Sequence, residues 1–411
     1  MIQPGADGAE RRLTADLEAA AKIGAVPAGG VSRFAWTPAL AQATAWVSSE
    51  LERLGMTVGI DAAGNMIAKW PAPAGEAVMV ASHLDTVPQG GAFDGALGVL
   101  AGVEAIRRLR DEAFQPVRPI WIGSFMDEEG TRFGTSMFGS RAFCGEDLSE
   151  ELGASDRGGT TVREAMATQG FTADRIGEAD QVASVGCYLE LHIEQGPVLS
   201  SQGRRLGLVE AISGVVGLRV TLEGEANHAG TTPMNMRRDP LVAAARIVLA
   251  LRERSAAQSG LLATVGRIEV APGGRNVIPG SCQFTVDLRP RDPETFATLE
   301  SWTAEVVAEA ATTEGVQASV ETEYALAPTT MDGALMAALE AAAADEQVAP
   351  LRMTSGSGHD AMIIGRHARA AMLFVPSHQG ISHSPREWTD PEDCELGARV
   401  LAGALRRLAR D

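Results

Sequence analysis

Short, unbroken apolar runs constrain this chain more than any other feature. VMVA at 78–81, IWIGSF at 120–125 and AAMLFV at 370–375 do not alternate as a half-exposed strand would. Continuous runs of this kind suit strands covered on both faces, as in a largely parallel sheet. Helical patterns separate them. Thr37 stands at an N-cap position with Pro38 behind it; Trp46, Val47, Leu51 and Leu54 then recur at helical spacing, and Gly55 ends the pattern. A strongly apolar helix is expected from Asp94-Gly95 to about residue 110, and YLELHI at 188–193 reads as a further strand. Residues 145–185 read as Gly-rich loop with one helix near 161–168, and Asp390 is expected to cap a closing helix with Pro391 in its first turn. Strand, helix and strand in this order predict an α/β fold, an open mixed sheet with helices on both faces.

The texture changes over 212–325. VVGLRVTLEGE, ATVGRIEVA, CQFTVDLR and QASVETEYA read as strands, with helices after Asp239-Pro240 and over about 293–313. The order β-α-β-β-α-β is that of a ferredoxin-like split unit. We therefore expect a discontinuous domain, 1–211 with 326–411, interrupted by a smaller inserted domain at 212–325.

Charge and cysteines narrow the class. Lys and Arg number 35 and Asp and Glu 53, a formal charge of −18. Such a surface repels phosphate, which argues against nucleic acid and anionic membrane as partners. No apolar run approaches a bilayer span, and acidic residues interrupt the first twenty positions where a signal peptide needs an apolar stretch. Cys144, Cys187, Cys282 and Cys394 form no Cys-x-x-Cys pair, so neither a disulfide framework nor a thiolate zinc site is expected. A cytoplasmic globular protein is the expectation.

The chain has only seven histidines, and their placement is informative. His83 directly follows a buried run in SHLDTV, Asp94 sits in GGAFDGALG, Glu128 and Glu129 in FMDEEGTRFG, His192 in YLELHIEQG and His383 in GISHSP. In an open α/β sheet the loops beyond the carboxyl ends of the strands converge on one crevice. Taken singly, a strand-end histidine is more often structural, an Asp-Gly more often a cap and a Glu-Glu pair usually a solvated turn. Jointly, five strand-to-loop junctions would each have to be innocent. Nitrogen and oxygen donors without thiolate suit Zn²⁺, and also Mn²⁺, Co²⁺ or Ni²⁺, and about five ligands suffice for two ions sharing a carboxylate. His367 and His378 read as surface or loop histidines.

Further residues suit a small substrate. The inserted domain supplies Asn227 and His228 in EANHAGTTP, Asn276 in GGRNVIPG and Arg289 in VDLRP. A guanidinium holds carboxylates in bidentate fashion, although a strand-end Arg is more often a surface ion pair. SGSGHDA at 355–361, with Gly356 and Gly358, is either an anion-binding turn of free backbone N–H groups or an ordinary helix start.

In this order, the motifs resemble the dinuclear-zinc aminoacylase and carboxypeptidase superfamily. More closely they resemble its carbamoyl-amide branch of N-carbamoyl-L-amino-acid hydrolases, allantoate amidohydrolases and β-ureidopropionases. The likeness runs from GGVSRFAWT at 29–37 to SHSPREWTDPED, with ELHIEQG, NHAGTTPMNMRRD and SGSGHDA specific to the branch. The resemblance implies one metal on His83, Asp94 and His192 and a second on Asp94, Glu129 and His383. It further implies Asp85 orienting the His83 ring, Glu128 as general base, and Gln195, His228, Asn276 and Arg289 as substrate contacts. The implied reaction is hydrolysis of the ureido amide of a small, carboxylate-bearing N-carbamoyl-L-amino acid by a hydroxide bridging two metals, usually in a homodimer paired through the inserted lid and dimerisation domain. The rivals are allantoate amidohydrolase, β-ureidopropionase, an aminoacylase or peptidase, and a non-catalytic binding protein. A histidine at 192, where the resemblance implies an acidic residue in peptidases, favours the carbamoyl branch.

Overall fold

The structure is a computed structural model and describes residues 12–410. Most of the N-terminal stretch read above for an export signal therefore lies outside the described residues. Along the chain the strands are β1 (Thr57–Ile60), β2 (Met66–Trp70), β3 (Ala77–His83), β4 (Ile120–Phe125), β5 (Val185–Ile193), β6 (Gly207–Ile212) and β7 (Val215–Glu223). They continue as β8 (Asn227–His228), β9 (Leu261–Ala271), β10 (Val277–Ile278), β11 (Ser281–Pro290), β12 (Gln317–Leu326), β13 (Thr329–Thr330), β14 (Leu351–Ser355) and β15 (Arg369–Val375). The chain divides into two compact units, Met1–Glu210 with Met331–Asp411, and Ala211–Thr330. No helix among the described residues is long and apolar enough to cross a membrane.

The first unit is built on a mixed sheet in which β4, β3, β5 and β15 are consecutive neighbours. These four run parallel, β3 pairing with β4 and β5, and β15 with β5. Every residue of β3, β4 and β5 is buried, as the unbroken apolar runs predict, and antiparallel β2 and β6 extend the sheet on either side. The helices Ala96–Asp111 and Pro391–Leu408 bury most of their length, because one face lies on the sheet and the other under neighbouring helices. Gly98 permits the first of these approaches: a Cβ there would overlap the carbonyl oxygen of Leu191 in β5.

Two capping expectations change. Thr37 and Asp390 do stand at N-cap positions before Pro38 and Pro391, but neither side chain caps its helix. Thr37 Oγ1 donates to Phe34 O at 2.7 Å, and Asp390 Oδ1 accepts from Trp388 Nε1 at 3.2 Å. Proline at the first helical position already lacks an N–H, which leaves one donor fewer to satisfy. Over 145–185 the structure has the helix Val162–Thr168, opened by a reciprocal Thr161–Glu164 capping box.

The second unit is an antiparallel sheet in the order β12-β7-β11-β9, which is fourth, first, third, second along the chain. The helices Pro240–Ala257 and Pro293–Glu314 cover one face, capped by Asp239 and Asp292. Val216, Leu218, Val220, Leu222, Phe284, Val286 and Leu288 from alternate strand positions form its core with Ile247, Leu251, Leu299 and Val307. This is the split β-α-β-β-α-β arrangement read from the sequence.

Gly98→Ala should destabilise the first unit by about 1–3 kcal/mol, because the methyl meets backbone that cannot rotate away. A lowered urea midpoint with an unchanged m-value would register the loss; an unaltered midpoint would contradict the packing described.

Candidate metal centre

The parallel strands β4, β3, β5 and β15 end at one edge of the sheet, and their carboxyl ends carry the candidate ligands. His83 is the last residue of β3, Glu128 and Glu129 follow β4, His192 is the penultimate residue of β5, and His383 lies beyond β15. Asp94 lies in the β3-to-helix connection that His83 opens, so the cluster draws on four strand ends rather than the five read from the sequence. Gly95 then turns the chain into the helix at φ 65°; a Cβ there would overlap the His83 ring.

Asp94 is the hub. Its Oδ1 lies 3.6 Å from His83 Nε2 and 3.2 Å from His192 Nε2. Its Oδ2 lies 3.3 Å from His383 Nε2, which in turn is 3.5 Å from Glu129 Oε1. The donor atoms of His83, Asp94 and His192 fall within 4.8 Å of one another, and so do those of Asp94, Glu129 and His383. Nitrogen and oxygen donors about 2.0–2.1 Å from one tetrahedral ion stand about 3.3 Å apart, close to these separations. The tautomers agree with this use. His83 Nδ1 faces Asp85 O at 3.1 Å and His192 Nδ1 faces Ile193 O at 2.9 Å, so in each ring Nδ1–H serves a carbonyl and Nε2 is the atom turned to the cluster. Glu129 Oε1 is buried and accepts no hydrogen bond, an orphan that a cation would satisfy. The donor set fits divalent ions.

Electrostatics points the same way. Burial, followed by the charges of Asp360, Glu129 and Asp85, lifts the Glu128 carboxyl well above its ordinary range. Burial and Asp94 raise Glu129 to about 8. Asp94 is equally buried, yet hydrogen bonds from His192 and His383 outweigh burial and hold it well below the carboxylate range. His192, despite burial, and His383, chiefly through its bond to Asp94, rise to about 9. Acids that retain protons beside imidazoles that acquire them form a site short of positive charge. Three residues here hold left-handed backbone that side chains adopt at a cost of about 1 kcal/mol or more: Asp127 (φ 58°), Gln195 (φ 58°) and His383 (φ 54°).

The other expected residues fall as follows. Asp85 lies behind His83, but its carboxylate is 3.8 Å from the ring nitrogen; instead it accepts from the backbone N–H of Glu128 at 3.3 Å and Glu129 at 3.1 Å. Its direct hold is on the glutamate turn, because the Asp85 carbonyl already occupies the imidazole N–H. Gln195 Nε2 donates to Asp94 Oδ2 at 2.8 Å. Gly356 and Gly358 precede the short helix Asp360–Ile364; Gly356 has open space above its Cα, whereas a Cβ on Gly358 would overlap the Met137 methyl. His367 and His378 are exposed. In the second unit, β8 pairs with β10, and Asn276 O accepts from Ala229 N at 3.0 Å, so Asn227, His228 and Asn276 stand together. Arg289 lies at the other end of β11, where Nε and Nη2 form a fork on Asp287 at 2.8 and 3.0 Å.

Sequence reasoning passed over four buried groups. His359 packs edge-on against His192 with centroids 4.6 Å apart, and its Nε2 meets Ser355 Oγ at 2.8 Å. Burial and then the His192 charge keep it neutral. Glu190 accepts from Ser82 Oγ, Tyr188 Oη and Ala361 N, each at 3.0 Å. Asp360 and Glu387 are also buried. His359 and Asp360 belong to SGSGHDA, where the glycines drew the reading; Glu190 and Glu387 stand in ELHIEQG and SHSPREW without a spacing that marks them.

The model of peptidase family M20/M25/M40 matches residues 79–407. An N-carbamoyl-L-amino acid amidohydrolase of Geobacillus stearothermophilus is 39% identical over 404 residues, 97% of this chain and 98% of that one. An allantoate amidohydrolase of Bacillus subtilis is 36% identical, covering 97% of each. A solved amidase of the hydantoinase/carbamoylase family from Burkholderia multivorans superposes with a TM-score of 0.88 at 35% identity, covering 98% of both chains. The chain belongs to peptidase family M20/M25/M40 and, within it, to the amidohydrolases that cleave carbon–nitrogen bonds other than peptide bonds.

Proposed function

We propose that this amidohydrolase cleaves the ureido amide of a small N-carbamoyl-L-amino acid, yielding the amino acid, CO₂ and ammonia. The single observation that carries the reading is the two-sided Asp94 carboxylate, with His83 and His192 against one oxygen and His383, close to Glu129, against the other. Two divalent ions, zinc foremost and manganese, cobalt or nickel as alternatives, would be held by those five residues with Asp94 shared. When bound, such ions supply charge that acidifies a water and polarises the substrate carbonyl. Glu128, within 3.7 Å of His83 Nε2, takes the proton of the attacking water and passes it to the departing nitrogen. Burial and neighbouring acids raise its affinity for that proton, while cations oppose them, and the balance favours a group that both accepts and releases. Asp85 fixes the glutamate turn through its two backbone N–H groups.

His228 Nδ1 accepts from Gly230 N at 3.0 Å, which makes its Nε2 a donor suited to the oxygen that gains charge during attack. Arg289 and Asn276 would anchor the substrate carboxylate; the Asp287 fork occupies two of the five guanidinium N–H donors. Gln195, Gly356 and Gly358 would contribute further contacts. Asn276 and His228 precede β11 and Arg289 ends it, a span of about 25 Å at ordinary strand rise. One small substrate reaches both groups only if a second copy supplies one of them, which supports a homodimer. Leu262 (66% exposed) and Ile268 (48%) lie on β9, an edge strand whose unpaired backbone suits pairing with a second copy. Allantoate is the second candidate substrate, on the strength of the Bacillus subtilis relative.

Glu128→Gln should bind metal as the parent does and lose turnover by at least about 10²-fold, read as ammonia release from N-carbamoyl-L-amino acids, N-carbamoyl-β-alanine and allantoate. Retained activity would remove Glu128 as the base, and a parent active on allantoate alone would replace the substrate. Arg289→Lys should raise KM about tenfold or more with kcat little changed, since a point charge replaces a fork. An unaltered KM would exclude Arg289 from carboxylate binding. In metal-free protein Glu129 (about 8), His192 (about 9) and His383 (about 9) hold protons at neutral pH, which an incoming ion must displace. Zinc affinity should therefore climb as pH rises from 6 to 9, and calorimetry in buffers of differing ionisation heat should show proton release at pH 7 that shrinks above 9. Release that does not vary with pH would count against this ligand set.

A further inference from the structure

Glu387 is 5% exposed, and its carboxylate joins two segments far apart in the chain. Oε1 accepts from the backbone N–H of both Phe93 and Asp94, each at 3.0 Å. Oε2 accepts from Ser382 Oγ at 2.9 Å, and that hydroxyl also lies 3.0 Å from Asp94 Oδ2. Ser382 immediately precedes His383, and Phe93 packs edge-on against Trp388 with centroids 5.5 Å apart. Gly91 makes room for the carboxylate, because a Cβ there would overlap it. A side chain tied at both oxygens, with an aromatic contact alongside, leaves the Asp94 turn and the His383 loop little freedom to separate.

We propose that Glu387 is a positioning residue for the metal centre, clasping the Asp94 turn to the His383 loop so that Asp94 presents one oxygen to each group of partners. The inference rests on the two-ion reading proposed above. Groups that orient metal ligands in this manner typically change metal affinity by about 10–100-fold when removed. A merely structural glutamate would alter thermal stability and leave affinity alone.

The test is competition for Zn²⁺ between the full chain and a chromophoric chelator, alongside the melting temperature of the metal-free form. Glu387→Ala should lose about 10–100-fold in affinity for at least one zinc ion. Glu387→Gln, whose amide oxygen can still accept from Phe93 and Asp94, should stay within a few-fold of the parent. Gly91→Ala displaces the carboxylate from the opposite side and should reproduce the alanine loss, and it carries the test should Glu387→Ala fail to fold. Parental affinity in Glu387→Ala or in Gly91→Ala overturns the clasp, and so does a glutamine variant as weak as the alanine one. A parent chain that binds no zinc overturns the metal-centre reading itself, which separates the two failures.

Discussion

A carboxylate buried among imidazoles sets the terms for everything around it. Asp94 stays ionised because His192 and His383 bond to it, while burial raises the proton affinity of Glu128, Glu129, Asp85, Glu190, Asp360 and Glu387. Packing that many acids together costs stability unless cations neutralise them. The sheet tolerates the concentration because it lies at the carboxyl ends of four adjacent parallel strands, where the strand ladder no longer claims the backbone groups. Freed N–H groups then serve the acids directly, as at Phe93, Asp94, Glu128 and Glu129.

The same economy explains why the local backbone is strained. Asp127 and Gln195 adopt left-handed conformations just beyond the ends of β4 and β5, and His383 does so in the loop after β15, where the chain turns its side chains toward the cluster. Gly95 and Gly91 mark the closest approaches, one beneath the His83 ring and one beside Glu387. The second unit follows another logic. Its core side chains alternate along β11, and β9 closes one edge of its sheet with Leu262 and Ile268 exposed.

Much of this was legible in the residues. Parallel strands buried on both faces read as unbroken apolar runs, so β3, β4 and β15 stood out, and the split unit declared itself through strand and helix order. The candidate ligands were visible because histidine is scarce in this chain, with His83 and His192 at strand ends and His383 in the loop that follows β15. Less visible were groups whose partners are backbone atoms far away in sequence. Asp85 was expected at an imidazole and instead holds the Glu128–Glu129 turn; Thr37 and Asp390 sit where caps belong but bond elsewhere. Glu190, His359 and Glu387 left no periodic signal, since burial of a polar side chain depends on neighbours the linear chain does not display.

What the sequence determined by itself was therefore the set of elements and the residue types at their ends, because periodicity and turn chemistry are local. Only the tertiary structure decided which oxygen of Asp94 faces which imidazole, which ring nitrogen of His83 and His192 turns to the cluster, and that His83 and Asp94 share one connection. Those choices come from hydrogen bonds and close packing between segments up to three hundred residues apart, such as Asp94 with Glu387 and Ser382, and no local pattern encodes a distance across a folded sheet.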